Sequence, residues 1–172
     1  MRRGATIANR GRWRSGLSLV ETVVSAMLVA VVLLGSMDLL GAVTRDRTAT
    51  SDKIRGDLMA HGLMAEILSS RYVDEGALPL FGPELGEATG NRSSFDDVDD
   101  YNGWSASPPQ DRNGAEMPNG SGWRHAATVE FVLADSPATV SLLDTGVKRI
   151  TVVVQRNGRT MAKLVSLRTD KY

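Results

Sequence analysis

With 172 residues the chain has room for one compact domain and an anchor, and its 42% hydrophobic and 23% charged content is that of an ordinary globular protein. The absence of cysteine excludes disulfide staples, thiolate-bound metals, thiol catalysis and acylation at a cysteine. The net charge of zero hides an asymmetry: Arg2, Arg3, Arg10, Arg12 and Arg14 face no acid in residues 1–16, which leaves fifteen basic against twenty acidic residues in the remainder, a targeting pattern rather than a nucleic-acid footprint.

Residues 17–43, LSLVETVVSAMLVAVVLLGSMDLLGAV, are interrupted only by Glu21 and Asp38. Twenty-seven residues rising about 1.5 Å each cover roughly 40 Å, enough for a hydrocarbon layer of about 30 Å. The arginines precede this stretch. The positive-inside tendency therefore keeps them in the cytoplasm and sends the carboxyl-terminal domain outside. A conventional signal peptide is the rival reading, with Ser25-Ala26 or Gly35-Ser36 as cleavage points. Its apolar region is about 7–15 residues, shorter than this one.

The two acids differ in depth. Asp38 lies near the far interface and can stay hydrated. Glu21 sits about 6 Å from Leu17 along the helix, within the apolar part. A carboxylate among lipid tails costs about 2.5–3.5 kcal/mol at mid-span on insertion scales, so it usually has a partner or a task. Cleavage before Leu17 would create an ammonium group one turn away. Pairing with that group on a neighbouring chain would fix the stagger between subunits, as buried polar groups fix coiled-coil register.

The run Arg14-Ser15-Gly16-Leu17-Ser18-Leu19-Val20-Glu21 resembles the cleavage and methylation signature of type IV prepilins and pseudopilins. In that family a basic leader ends in glycine, a hydrophobic residue follows, and glutamate takes the fifth mature place. Leu17 stands for the commoner phenylalanine and Ser18 for the commoner threonine. The resemblance implies that a prepilin peptidase cuts between Gly16 and Leu17 and methylates the freed amine of Leu17. It also implies a pilin-like α+β fold, a place in the inner membrane with the domain in the periplasm, and other pilin or pseudopilin subunits and an inner-membrane assembly platform as partners. The moderate size and the GVKRITVVVQRNGR segment resemble the I-type minor pseudopilin and V-type minor pilin group. The presence of Glu21 argues against the K-type tip subunit.

Residues 44–70 lack proline and keep Ile54, Leu58, Met59, Leu63 and Ile67 at helical spacing, so the helix is predicted to run on as the spine of an outer domain, 71–172. From 72 to 124 the composition turns to Gly, Pro, Asn, Asp and Ser, with short elements predicted near 78–81. Here Asp96, Asp97, Asp99 and Asp100, with Asn102 nearby, can offer oxygens to Ca²⁺, although the spacing is not that of an EF-hand. The same residues also read as an acidic turn anchored by Phe95, Tyr101 and Trp104.

Strands are predicted near 128–133, with Val129, Phe131 and Leu133 on one face, and near 146–155 and 160–167. The Asn157-Gly158 dipeptide favours a tight type I′ hairpin between the last two. The whole predicts an α+β domain in which an antiparallel sheet covers the helix. His61 is expected on the helix surface and His125 in a loop leading into a strand. Lys148, Arg149, Arg156 and Arg159 read as charges guarding a strand edge, and no nucleic-acid partner is expected. No phosphate loop, dinucleotide fingerprint, zinc motif or nucleophile elbow occurs. The chain reads as the substrate of an enzyme, not an enzyme. It is a structural subunit of a type II secretion pseudopilus or type IV pilus or, in a second reading, a singly anchored adhesin or calcium sensor that never polymerises.

Overall fold

The structure, a computed structural model, describes residues 16, 18–73, 81–84, 87 and 91–170. The leader up to Ser15, Leu17 and most of the elements predicted near 78–81 lie outside the described residues. The chain divides into two compact units, residues 1–47 and 48–172.

One helix, α1, runs from Leu19 to Ser69 and contributes to both units. In the first unit its apolar residues are uncovered: Leu19, Val20, Met27, Leu34 and Leu40 are all at least 66% exposed. The hydroxyls of Ser36 and Thr44 in this stretch are nevertheless satisfied without solvent. Ser36 donates to the Val32 carbonyl at 2.7 Å and Thr44 to that of Leu40 at 2.9 Å. Such back-bonding lets serine and threonine sit among lipid tails. The helix is long and apolar enough to cross a membrane, a property it shares with signal sequences.

In the second unit the same helix becomes a core element. Gly56, Met59, Ala60, Leu63, Met64 and Ile67 are buried, a stripe repeating every three or four residues. This stripe is rotated from the one expected. Ile54 and Leu58 are 55% and 68% exposed. The small residues Gly56 and Ala60 take their place because the backbone approaches the sheet closely. A Cβ on Gly56 would lie 2.6 Å from Met161 Cβ and 3.6 Å from the Trp123 ring.

The sheet is a four-stranded antiparallel meander in the order β1 (Ser105–Ala106), β2 (Trp123–Phe131), β3 (Val147–Arg156) and β4 (Arg159–Thr169). Alternation places His125, Ala127 and Val129 on the face toward the core, opposite Val154, Val152 and Ile150. Leu164 and Ala162 continue that face on β4, opposite Val152 and Val154. These side chains close over the helix stripe, together with Phe95, Val98 and Tyr101. The protein is thus α+β, with a long amino-terminal helix packed against a carboxyl-terminal antiparallel sheet. This is a pilin-like architecture.

Between β3 and β4, Asn157 (φ 49°) and Gly158 (φ 78°) both adopt left-handed backbone, as a type I′ turn requires. Strand β2 differs from its predicted span of 128–133: it begins at Trp123 and ends at Phe131. Leu133 lies beyond it and is 38% exposed. His125 is therefore a strand residue rather than a loop residue, and its side chain points into the core. Nε2 of its imidazole accepts the Gln110 N–H at 3.2 Å, while Nδ1 is buried with no hydrogen-bond partner among the described residues. β4 is the last strand of the sheet, and Lys163, Val165 and Leu167 stand on its outer face.

Candidate functional site

At the amino-terminal end the helix begins at Leu19, two residues past the Gly16–Leu17 bond of the motif. Ser18 Oγ accepts the Glu21 N–H at 3.2 Å, and the Ser18 carbonyl accepts the Thr22 amide at 3.1 Å and hydroxyl at 3.0 Å. Ser18 is therefore the helix cap, and Glu21 is the third helical residue, with its carboxylate near the positive end of the helix dipole. Sequence reasoning missed this local role, although Ser-x-x-Glu ahead of an apolar run is the signal for it. Gly16 and Glu21 are exposed, as is Asp38 farther along the helix.

In the outer domain the acidic stretch does several jobs at once. Asp97 and Asp100, both buried, cap the turn that contains them. Asp97 Oδ1 accepts the N–H of Asp99 at 2.8 Å and of Asp100 at 3.3 Å. Asp100 Oδ2 accepts the N–H of Asp96 at 2.9 Å and of Asp97 at 3.0 Å. A short 3-10 helix, Asp99–Tyr101, results. Asp99 is held instead by Lys148, whose ammonium also donates to the Tyr72 carbonyl and lies 4.3 Å from the Tyr72 ring centroid.

Lys148 is thus not a charge on a strand edge: it is 1% exposed. The alternation that turns Ile150, Val152 and Val154 inward turns Lys148 inward too. A buried cation then demands an acid. Of Asp96, Asp97, Asp99 and Asp100, one alone joins a group of carboxylates close enough to share an ion among the described residues. That residue is Asp100, and its companions are Glu84 and Glu87.

Burial governs how these acids titrate. It is the main reason Asp97 is pushed up to about 7, with its hydrogen bond to Asp99 and the charges of Asp99 and Asp100 adding and Lys148 opposing. Burial likewise pushes Asp100 up to about 6 against the pull of two backbone N–H groups, and Glu87 adds to the rise. Glu87 itself is raised by burial and by its hydrogen bond with Glu84.

Comparison with protein-family profiles, with curated proteins and with solved structures found no match.

A third cluster sits where the helix meets the sheet. Arg92 donates through Nε and Nη2 to the two Glu66 oxygens at 2.8 and 3.0 Å, and its guanidinium lies 4.1 Å from the Trp104 ring centroid. Tyr101 donates its hydroxyl to Glu66 at 3.1 Å. Beside them His125 is lowered to about 4, by burial first and then by the Arg92 charge. It is a neutral imidazole at physiological pH, fixed between Gln110 and the edge of Trp104 at 4.7 Å. This cluster fastens the loop to the helix through a bidentate pair. His61, by contrast, is exposed on α1.

Proposed function

We propose that the chain is a membrane-anchored structural subunit of pilin type. A prepilin peptidase cuts between Gly16 and Leu17 and methylates the Leu17 amine, and the mature subunits assemble through their apolar helices. The observation that carries this reading is the double use of α1. Its first part is an uncovered apolar helix that begins at the cleavage motif, and its last turns are the buried spine of an α+β domain.

In lipid the first part is at home. In a filament it would be covered by the same part of neighbouring subunits, exchanging contact with lipid tails for contact with other helices. Glu21 would then meet the methylated amine of a neighbour, a pairing that neutralises both charges and sets the axial stagger. On this reading the subunit waits in the inner membrane, leader inside and domain in the periplasm, until an assembly platform draws it out. The resemblance of the leader motif and of the GVKRITVVVQRNGR hairpin favours a minor pseudopilin of a type II secretion system or a minor pilin of a type IV pilus.

Co-expression with a prepilin peptidase tests the reading. Mass spectrometry is expected to find residues 1–16 removed and one methyl group on Leu17. A mature chain starting at another residue, after Ala26 or Ser36 for example, would make the helix a conventional signal sequence and sink the proposal.

A further inference from the structure

Two parts of the loop region converge on one point. Glu84 and Glu87 come from the segment before the 3-10 helix, and Asp100 comes from the helix itself. Each offers a carboxylate oxygen, and the three oxygens lie within 4.8 Å of one another. Oxygens bound to one Ca²⁺ lie about 2.3–2.6 Å from it, so two of them are at most about 5 Å apart. The spacing therefore fits a shared ion.

A cluster of acids is common on protein surfaces without any ligand. Asp100, however, is not on the surface. It is 1% exposed, and its two oxygens are treated very differently. Oδ2 is saturated by the N–H groups of Asp96 and Asp97. Oδ1 is buried and receives no N–H, and the side chain that reaches the Asp100 carboxyl group is Glu87, itself an acid. Among the described residues no lysine or arginine is ion-paired with Asp100. A buried carboxylate oxygen with no donor is costly unless a cation or a proton completes it.

The companions are placed for the first of these. The Glu84 N–H donates to Glu87 Oε2 at 3.0 Å, and the Glu87 N–H returns to the Glu84 carbonyl at 3.1 Å. Ser94 holds the Glu87 carbonyl at 3.3 Å. Both glutamates are only half-buried, so an ion could enter from solvent and keep some of its water. We propose that Glu84, Glu87 and Asp100 bind one hard divalent cation of the calcium class, which fastens the loop to the 3-10 helix. The ligands are all oxygen, which suits Ca²⁺ and disfavours the softer, nitrogen- and sulfur-seeking metals. The site differs from the one suggested by the acidic run alone, because Asp97 and Asp99 are committed to the turn and to Lys148.

The test uses the full chain in detergent, stripped with a chelator and titrated with CaCl₂ alone, then MgCl₂ alone, near neutral pH. Calorimetry is expected to find one calcium site with a dissociation constant of about 1 mM or tighter, the range of extracellular calcium modules. The thermal midpoint should rise with calcium. Glu84→Gln and Glu87→Gln, at half-buried positions that leave Asp100 in place, should each weaken calcium binding by about tenfold or more while the metal-free chain keeps its circular dichroism. The proposal is overturned if the folded wild-type chain binds no calcium up to about 5 mM, a shared proton then being what completes Asp100. It is equally overturned if the double glutamine variant binds as tightly as wild type. Peptidase processing at Gly16 is read separately, so a failure of the cation site leaves the assembly proposal standing.

Discussion

Lys148, on the core face of β3, is ion-paired with Asp99 of the 3-10 helix, and both side chains are at most 5% exposed. The pair ties the loop region to the middle of the sheet. Removing one member leaves the other as an unpaired buried charge, which costs about 3–5 kcal/mol. Lys148→Ala and Asp99→Ala are each expected to lower stability by that order, and the double variant by much less than the two together. Denaturation of the detergent-solubilised chain, followed by tryptophan fluorescence, supplies the cycle. Additive losses would show that the pair contributes nothing as a pair.

The close approach at Gly56 gives a prediction with its own control. Alanine gains about 1 kcal/mol over glycine in a helix interior. At Gly62, where a Cβ meets nothing within 4 Å, Gly62→Ala should realise this gain as a higher thermal midpoint. At Gly56 the new Cβ would sit 2.6 Å from Met161 Cβ, an atom fixed to the β4 backbone. Overpacking of this kind costs about 1–3 kcal/mol, so Gly56→Ala should be neutral to destabilising. Equal stabilisation at both positions would mean that helix and strand are not in contact there.

The buried imidazole makes stability depend on pH. Its folded value, about 4, lies below the ordinary 6.5, so the fold favours neutral His125. That contribution is complete above about pH 6.5 and is lost as the pH falls toward 4. At about 1.4 kcal/mol per unit it amounts to roughly 3 kcal/mol. Arg92 opposes protonation and Glu66 favours it. Asp97 and Asp100, raised by burial, titrate with the opposite sign and gain stability in acid. The comparison of wild type with His125→Gln isolates the imidazole. The variant's melting temperature should fall less between pH 7 and pH 4.5, and parallel profiles would refute the assignment.

Ser18 and Glu21 meet in one hydrogen bond, yet their roles separate by substitution. Ser18→Ala removes a cap worth about 1 kcal/mol and, on the proposed function, should leave peptidase cleavage and incorporation into filaments near wild-type levels. Glu21→Gln keeps the backbone N–H that Ser18 accepts but removes the charge. If the carboxylate is a partner for a neighbour's amine, incorporation should fall by about tenfold or more, the cost of losing a buried ion-pair partner. Pull-down of the variant by wild-type subunits measures this. Incorporation of Glu21→Gln at the wild-type level would reduce Glu21 to a helix-dipole residue.

The pattern of these residues shows what a sequence discloses. The apolar run, the β-branched residues 150–154 and the Asn157-Gly158 turn signal their structures locally, and the α+β class follows from them. The rest depended on distant partners. Nothing local marks Gly56 as a contact, because its role comes from Met161 and Trp123. His125 and Lys148 were legible in principle, since alternation assigns both to the inner face of their strands. Their polar chemistry argued the other way; in the fold Asp99 pairs with Lys148, and Gln110 donates to one of the two ring nitrogens of His125. Glu84 and Glu87 carried no signal at all, because only folding brings them to Asp100.

β4 closes the sheet on one side, so half of its backbone amides and carbonyls face outward with no strand beside them among the described residues. Eleven residues of open rim would ordinarily invite another chain to add itself. The register shift opposite Val154 and Gln155, which leaves Met161 of β4 without a paired residue, disturbs the strand's regularity, and the exposed ammonium of Lys163 breaks the apolar row that ends in Val165 and Leu167. A protein that carries an uncovered apolar helix is thereby kept from sticking to its neighbours through its sheet as well. Exchanging that one lysine for valine should turn a solvated margin into an adhesive one.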